Sequence, residues 1–187
     1  MADEPTTLSP MGSALVAALK RHYEIDPRPL FEEAGLDISH VVGTVYRYPI
    51  SKTRNVWQLA EAATGDAAIG LVVGRYARAT DIHSIGFGML AASSIRDALQ
   101  RLIRYRRALH STMELDLERD GDSEALVIQS DPSEIASVHG IDAFFLSLLK
   151  FCRNLYGPGF RLVQVDLRRP KQQPARYEES FRCPVHF

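Results

Sequence analysis

The spacing of apolar residues over the first 110 positions is typical of amphipathic helices. Between residues 51 and 64 the apolar side chains fall on one face of a helix, as a single stripe (Val56, Leu59, Ala60 and Ala63). Ser51 is a suitable N-cap residue for this helix, and Trp57 lies off its stripe. Comparable patterns predict further helices over Met11–His22, Arg28–Ala34, Asp66–Ala77 and Ile95–His110.

The period of the pattern changes after residue 110. Within Thr112–Arg119, apolar and charged side chains alternate, as they do in a half-buried strand. A turn at Asp120-Gly121-Asp122 and a return strand over Ala125–Gln129 complete a predicted hairpin. The remaining predicted elements are an apolar helix over Ile141–Leu155, a third strand over Phe160–Leu167, a short helix over Tyr177–Phe181 and an extended segment over Pro184–Phe187.

This order of elements predicts an α+β fold in which N-terminal helices precede a β-β-α-β unit with a small antiparallel sheet. Residues 1–10 are predicted to be a disordered tail, and residues 11–187 to form one domain. The chain ends on apolar residues that begin an extended segment, Cys183-Pro184-Val185-His186-Phe187. From this ending we expect the chain to be a fragment of a longer protein.

The composition of the chain excludes some classes of function. The chain has 187 residues, of which 45% are hydrophobic and 24% charged, with a formal net charge of −1. With this net charge, the chain does not have the excess of positive charge that binds the phosphates of nucleic acids. We find neither an apolar run long enough to span a bilayer nor a signal peptide. Cys152 and Cys183 match no zinc or redox spacing, so we expect a cytoplasmic chain with reduced thiols.

Two glycine motifs resemble nucleotide-binding loops but lack the residues that such loops need. Gly65 and Gly70 have phosphate-loop spacing, yet Leu71 and Val72 stand where Lys and Ser or Thr are required. We therefore predict that Gly65 ends one helix and that Asp66 caps the next. The motif at residues 86–91 has no preceding strand and no later acid, which favours a close-packed glycine turn.

Other motifs with chemical meaning are also incomplete. Leu30–Arg47 has a helix-turn-helix-like centre, but Gly43 and its β-branched neighbours disfavour a recognition helix. None of the six histidines has a second histidine at helical ligand spacing, and no serine stands in a nucleophile elbow. We therefore predict no catalytic residue, no metal site and no cofactor.

The helix over Ile95–His110 contains the one candidate binding group. Arg106 interrupts its apolar stripe, and His110 lies beside it one turn on. An inward-facing guanidinium needs an anion or strong acceptors, so the alternatives are an internal ion pair, a helix C-cap, an interface contact and a ligand carboxylate. In the ligand hypothesis, Arg106 binds the carboxylate of an amino acid or a similar metabolite, with the remaining site residues around it (His110, Tyr105, Phe87, Phe144 and Phe145).

Three groups of residues, in their order and spacing, resemble a known family. They are Leu59 with Thr64-Gly65-Asp66 and Gly70-Leu71; Gly86 and Leu90 with Ala98-Leu99; and Arg169-Pro170 followed by Phe181-Arg182-Cys183-Pro184-Val185-His186-Phe187. Together they resemble the N-terminal effector domain of AraC/XylS-type transcriptional regulators, in the arabinose-binding-domain-like branch that includes ornithine-utilisation regulators. The resemblance covers roughly residues 10 to 187.

The resemblance implies a ligand-sensing and dimerisation domain without catalysis. It implies a small-molecule metabolite as effector, a homodimer, and contact with DNA and RNA polymerase only through helix-turn-helix units that this chain lacks. It implies no cofactor and no membrane partner. Two other functions remain open: a stand-alone enzyme whose active-site residues are dispersed along the chain, and a dimerisation domain that binds no ligand.

Overall fold

The computed structural model describes residues 4–42, 46–129 and 136–187. Within these ranges the α-helices are α1 (Ser13–Arg21), α2 (Arg28–Glu33), α3 (Ile50–Thr64), α4 (Ile69–Tyr76), α5 (His83–Leu90), α6 (Ile95–Leu109), α7 (Val138–Tyr156) and α8 (Pro174–Phe181). The strands are β1 (Thr6–Leu8), β2 (Arg47–Pro49), β3 (Leu115–Asp120), β4 (Ser123–Ile128), β5 (Val165–Asp166) and β6 (Val185–His186). The α+β prediction is confirmed.

The start of the chain is ordered from Thr6 onwards. Strand β1 pairs antiparallel with β2, so that Thr6 faces Pro49 and Leu8 faces Arg47, and a 3-10 helix follows over Ser9–Gly12. The prediction of a disordered tail is therefore wrong for residues 6–10, while residues 1–3 lie outside the described residues. This short polar segment is ordered because its backbone groups form hydrogen bonds with β2 and with Ser111, just after α6. No pattern within the segment itself reveals these distant partners.

The predicted stop at Gly65 is confirmed, but the predicted N-cap at Ser51 is wrong, because α3 begins at Ile50 with Pro49 in the N-cap position and no side-chain cap hydrogen bond. Helix α3 ends at Gly65, which has a φ of 64° and so occupies the left-handed region that favours glycine. The Asp66 carboxylate accepts a hydrogen bond from the Ala68 amide at 2.9 Å just before α4 begins. Burial by itself raises the pKa of Asp66, but hydrogen bonds from Arg176 and Tyr23 outweigh it and hold that pKa well below its usual range.

Gly70 and Gly74 allow α4 to lie against α7 at very short range. A Cβ at Gly70 would stand 2.3 Å from the carbonyl oxygen of His139, and one at Gly74 would stand 2.8 Å from the Cβ of Leu146. Gly86 of α5 meets the Ala79 carbonyl in the same way, at 1.8 Å from an added Cβ. One glycine of each nucleotide-like motif, Gly70 in the first and Gly86 in the second, therefore permits close packing of a helix, and the second motif lies in α5 rather than in the predicted turn.

The hairpin forms as predicted, but the third strand does not join it. Strands β3 and β4 pair antiparallel from Leu115 opposite Ile128 to Asp120 opposite Ser123. Strand β5 is shorter than predicted and pairs parallel with β6. The described strands thus form three separate two-stranded sheets: β3 and β4 make the small antiparallel sheet that was predicted, and β5 lies outside it.

Helix α7 explains the separation, because it packs on several sides at once. Its Leu146 and Leu149 contact a terminal cluster that includes Leu167, Tyr177 and Phe181. Its Phe144, Leu148 and Phe151 contact a hairpin cluster of Leu8, Met89, Leu102, Leu109 and Leu115. A third, helical cluster is built by α1 to α4 around Leu15, Phe31, Val56, Trp57 and Val73. The hairpin and β5 consequently lie against different faces of one helix.

The helix-turn-helix candidate does not form in the part of the segment that the structure describes. Ile38–Val41 is a 3-10 helix and Arg47–Pro49 is strand β2. Residues 43–45, the centre of the supposed recognition helix, lie outside the described residues. The expectation that this segment has no recognition helix therefore agrees with its described ends.

Candidate functional site

A cavity of about 180 Å³ lies between the helical cluster and the hairpin cluster. One wall comes from α1, α3 and α7, including Leu15, Trp57 and Phe144. The facing wall comes from β1 and the end of α6, including Thr7 and His110, and from the helix α5. The walls are mainly apolar with a few polar side chains, which is the usual composition of a small-molecule site.

The strand β1 closes one side of the cavity because it docks on the end of α6. The Thr6 amide donates to the Ser111 hydroxyl at 2.8 Å, and the Ser111 amide donates to the Thr6 carbonyl at 2.9 Å. Thr7 forms an isolated antiparallel bridge with His110. These contacts join residues about one hundred positions apart and fix the His110 backbone at the cavity wall.

His110 is a neutral polar group in this wall. It is only 7% exposed, and burial, together with the charge of Arg47, lowers its pKa to about 4. The imidazole therefore carries no charge near neutral pH and can both donate and accept hydrogen bonds. Its Nδ1 lies 3.4 Å from the Thr112 hydroxyl.

The depressed pKa of His110 predicts a loss of stability in mild acid. Between about pH 6.5 and pH 4 the unfolded chain binds a proton at this residue that the folded chain does not. Stability conferred by the neutral imidazole is therefore complete above pH 6.5 and falls as the pH approaches 4. We expect His110→Gln to remove about 2 kcal/mol of the decrease in unfolding free energy between pH 6.5 and pH 4.5.

Urea denaturation of both proteins across this pH range measures the effect. His22→Gln, at an exposed position on the same chain, serves as the control and should keep the wild-type pH profile. Parallel profiles for wild type and His110→Gln would show that His110 does not titrate abnormally.

Arg106 has a partner within the protein. Its Nε donates to Glu114 Oε2 at 2.9 Å, and Nη1 donates to the Ile103 carbonyl at 3.0 Å. Arg107 joins the same carboxylate at 2.6 Å, and hydrogen bonds from the two guanidinium groups lower the pKa of Glu114. Of the alternatives set out above, the structure shows the internal ion pair. Binding of a ligand carboxylate by Arg106 stays a prediction, and it requires that Glu114 be displaced.

The structure does not bring the six predicted site residues together. His110 and Phe144 line the cavity. Phe87 and Tyr105 are 59% and 52% exposed, and Phe145 packs on the terminal cluster. Phe87, Phe144 and Phe145 therefore do not line one cavity in the structure: successive residues of α7 are rotated by about 100° around the helix, so Phe145 packs on the terminal cluster although its ring lies 5.9 Å from that of Phe144.

Several cavity residues were missed from the sequence. Thr7 falls in the predicted tail, Trp57 lies off the apolar stripe of its helix, and Ser147 is an ordinary small residue within an apolar helix. Trp57 carried a weak signal, because a large aromatic off the core stripe needs a second contact surface. For Thr7 and Ser147 we find no local signal.

Two features are absent from the part of the chain that the structure describes. No group of three or more His, Cys, Asp or Glu side chains within 4–42, 46–129 and 136–187 is arranged to hold a metal ion. In those same ranges, no helix has the length and hydropathy needed to cross a bilayer.

Comparison with known proteins decides the family. The family model described as the arabinose-binding domain of AraC transcription regulators, N-terminal, matches residues 25–187, which is most of the chain. The chain belongs to this family. The match covers α2 to β6 and so includes both α3 and α7, which line the cavity.

Individual relatives agree with the family match. An ornithine utilization regulator from Pseudomonas aeruginosa is 29% identical over 130 residues, which is 68% of this chain and 38% of the relative. The crystal structure of the transcriptional regulator CdpR from Pseudomonas aeruginosa has the same fold, with a TM-score of 0.56 at 17% identity over 86% of this chain and 50% of that one. The AraC-family chain described here thus spans 38% of the curated relative and half of the solved structure.

Proposed function

We propose that this AraC-family domain senses a small-molecule effector, and that the effector binds in the cavity between the helical and hairpin clusters. The observation that carries the proposal is the cavity itself: about 180 Å³ of space with mainly apolar walls and a buried neutral histidine. Core packing normally leaves few voids of this size, because empty space forfeits dispersion contacts. A void of this size at the junction of several elements therefore supports a ligand site.

The cavity is also well placed for a regulatory role. Helix α7 lines it with Phe144 and Leu148 and carries Leu146 and Leu149 on another face, against the terminal cluster. A ligand that shifts α7 would change the packing of α8 and β6 as well. Such coupling between a ligand site and a distant element is what a sensor domain requires.

The remaining parts of the proposed function follow from the family. We propose that the domain acts as a homodimer in the cytoplasm and controls transcription through a DNA-binding region of a longer protein, which contacts RNA polymerase. The name of the family does not identify the effector, and neither does the name of the ornithine utilization regulator. The family match and the regulator relative favour a sensor domain over the enzyme alternative.

A cavity-filling substitution tests the site. Ser147 lines the cavity on α7, and its hydroxyl donates only to the Phe144 carbonyl of the same helix, at 2.7 Å. Ser147→Leu should fill part of the space while keeping the helix, since leucine has high helix propensity. Asn154→Leu places the same side chain at an exposed position of α7 and is the matched control.

The measurement is thermal unfolding with a library of amino acids and aromatic metabolites. A ligand at about one hundred times its Kd adds about 2.7 kcal/mol, which raises the Tm of a chain of this size by about 5–10 °C. We expect this rise for wild type and Asn154→Leu and its loss for Ser147→Leu. A compound that stabilises Ser147→Leu as much as wild type would exclude the cavity as the effector site.

A further inference from the structure

Three hydroxyl groups around the cavity, those of Thr7, Thr53 and Ser147, already donate their protons within the protein. Thr7 donates to the Leu109 carbonyl at 3.2 Å, and Thr53 donates to the Pro49 carbonyl at 2.9 Å. Ser147 donates to the Phe144 carbonyl at 2.7 Å. A ligand therefore meets hydroxyl lone pairs at these positions, while their protons are engaged elsewhere.

The charged side chains among the described lining residues, Arg78 and Asp81, neutralise each other. Arg78 Nη2 lies 3.2 Å from Asp81 Oδ1, and the Arg78 amide donates to Oδ2 at 2.8 Å. Asp81 is 9% exposed and Arg78 is 74% exposed, so the acid depends on this partner. A charged ligand group in the cavity would lose its hydration without gaining a counter-charge, which is strongly unfavourable.

His110 differs from these three hydroxyls and from the Arg78–Asp81 pair. Its Nδ1 lies 3.4 Å from the Thr112 hydroxyl, and its ring lines the cavity. A neutral imidazole with one nitrogen engaged by a neighbour can offer the other to a ligand. Since the ring is buried at the cavity wall, a hydrogen bond there is shielded from competing water.

We propose that the effector is an uncharged, mainly apolar molecule with a single hydrogen-bonding group, and that His110 recognises this group. The proposal rests on the cavity being the effector site. The available space agrees with a ligand of about the size of a substituted benzene, since an apolar cavity of about 150 Å³ holds benzene itself. This ligand class differs from the carboxylate that the position of Arg106 in the sequence suggested.

Arg47 is the group that would favour an anion instead. Its charge contributes to the low pKa of His110, so it acts on this part of the cavity. Its guanidinium, however, donates to Thr6 Oγ1 at 2.6 Å and to the Ala108 carbonyl at 2.7 Å. Arg47 is not one of the side chains that line the cavity, and these hydrogen bonds hold it outside.

Four probes of matched size test the ligand class: benzyl alcohol, toluene, benzoate and benzylamine. Titration calorimetry with the wild-type chain should show benzyl alcohol binding at least about ten-fold more tightly than benzoate or benzylamine, because the two ions lose hydration. Ser147→Leu should abolish the binding of benzyl alcohol. Benzoate or benzylamine binding as tightly as the alcohol would overturn the proposal.

The role of His110 has its own test. His110→Leu should weaken benzyl alcohol about three- to ten-fold, the effect of one hydrogen bond, and should leave toluene within about two-fold. His110→Gln retains a donor and an acceptor and should restore the preference for the alcohol over toluene. An unchanged preference in His110→Leu, or its absence in both wild type and His110→Gln, would remove His110 from the recognition of the ligand.

These outcomes separate the ligand class from the proposed function. If an ion binds best and Ser147→Leu abolishes that binding, the cavity remains the effector site and only the ligand class is wrong. If no probe binds to wild type, the proposed class is wrong, and the library screen with Ser147→Leu still decides on the cavity. If the probes bind equally well to Ser147→Leu, both proposals fail.

Discussion

Replacing Asp142 by alanine is expected to lower the free energy of unfolding by about 3–5 kcal/mol, the range for breaking a buried ion pair. Asp142 is fully buried, and its two oxygens accept from Arg169 at 2.7 Å and from the Tyr177 hydroxyl at 2.6 Å. Arg169 also lies over the ring of Tyr177, 5.0 Å from its centre. Removing the carboxylate leaves the buried Tyr177 hydroxyl and the Arg169 guanidinium, whose side chain is only 16% exposed, without their acceptor.

Urea denaturation at neutral pH measures the loss, and a surface pair provides the control. Asp26 and Arg28 form a comparable ion pair at 2.7 Å, but their side chains are 44% and 75% exposed. Water takes over the hydrogen bonds of such a pair, so Asp26→Ala should change stability little. Equal effects of the two substitutions would mean that burial does not determine the contribution of the Asp142 cluster.

Gly70→Ala is expected to destabilise the protein by about 2–3 kcal/mol, although alanine is the better helix former. The new Cβ would lie 2.3 Å from the His139 carbonyl oxygen and 2.8 Å from the Cβ of Asp142. Neither atom belongs to a flexible side-chain end, so α4 and α7 must move apart to accept the methyl group. That movement also disturbs the cavity wall that α7 provides.

Gly88→Ala is the matched control for this substitution. Gly88 also lies within a helix, α5, and an added Cβ there meets nothing within 4 Å. The change should stabilise the protein by up to about 1 kcal/mol, the difference in helix propensity. Thermal and urea unfolding of both variants give the comparison. If Gly70→Ala is as stable as Gly88→Ala, the close approach of α4 and α7 does not depend on the missing side chain.

The helices and the hairpin could be predicted because their signals are local. Ser94 accepts a hydrogen bond from the Asp97 amide at 3.1 Å and begins α6 where the sequence placed it. The turn at Gly121, with a φ of 58°, joins two strands whose alternation was readable. Such signals involve residues that are only a few positions apart, so a short segment of the sequence is enough to recognise them.

The candidate site was only partly predictable. Helical spacing correctly placed His110 next to an apolar stripe, and it correctly required an acceptor for Arg106. It did not decide between Glu114 and a ligand, because both satisfy a guanidinium equally well. Thr7 and Trp57 reach the cavity from separate elements, and their distance along the chain hides this proximity.

The sequence by itself determined the helices other than α5, the hairpin, the α+β class and the family, since each depends on patterns within short segments or on motif order. Only the tertiary structure decided that β1 closes on the end of α6, that β5 pairs with β6 and that the cavity lies beside His110. Those features depend on which apolar faces meet. Many apolar faces of the helices and strands in this chain are similar in composition. Which of them pack together therefore depends on their shape, on the two glycines of α4 and on the burial of Asp142 with its partners.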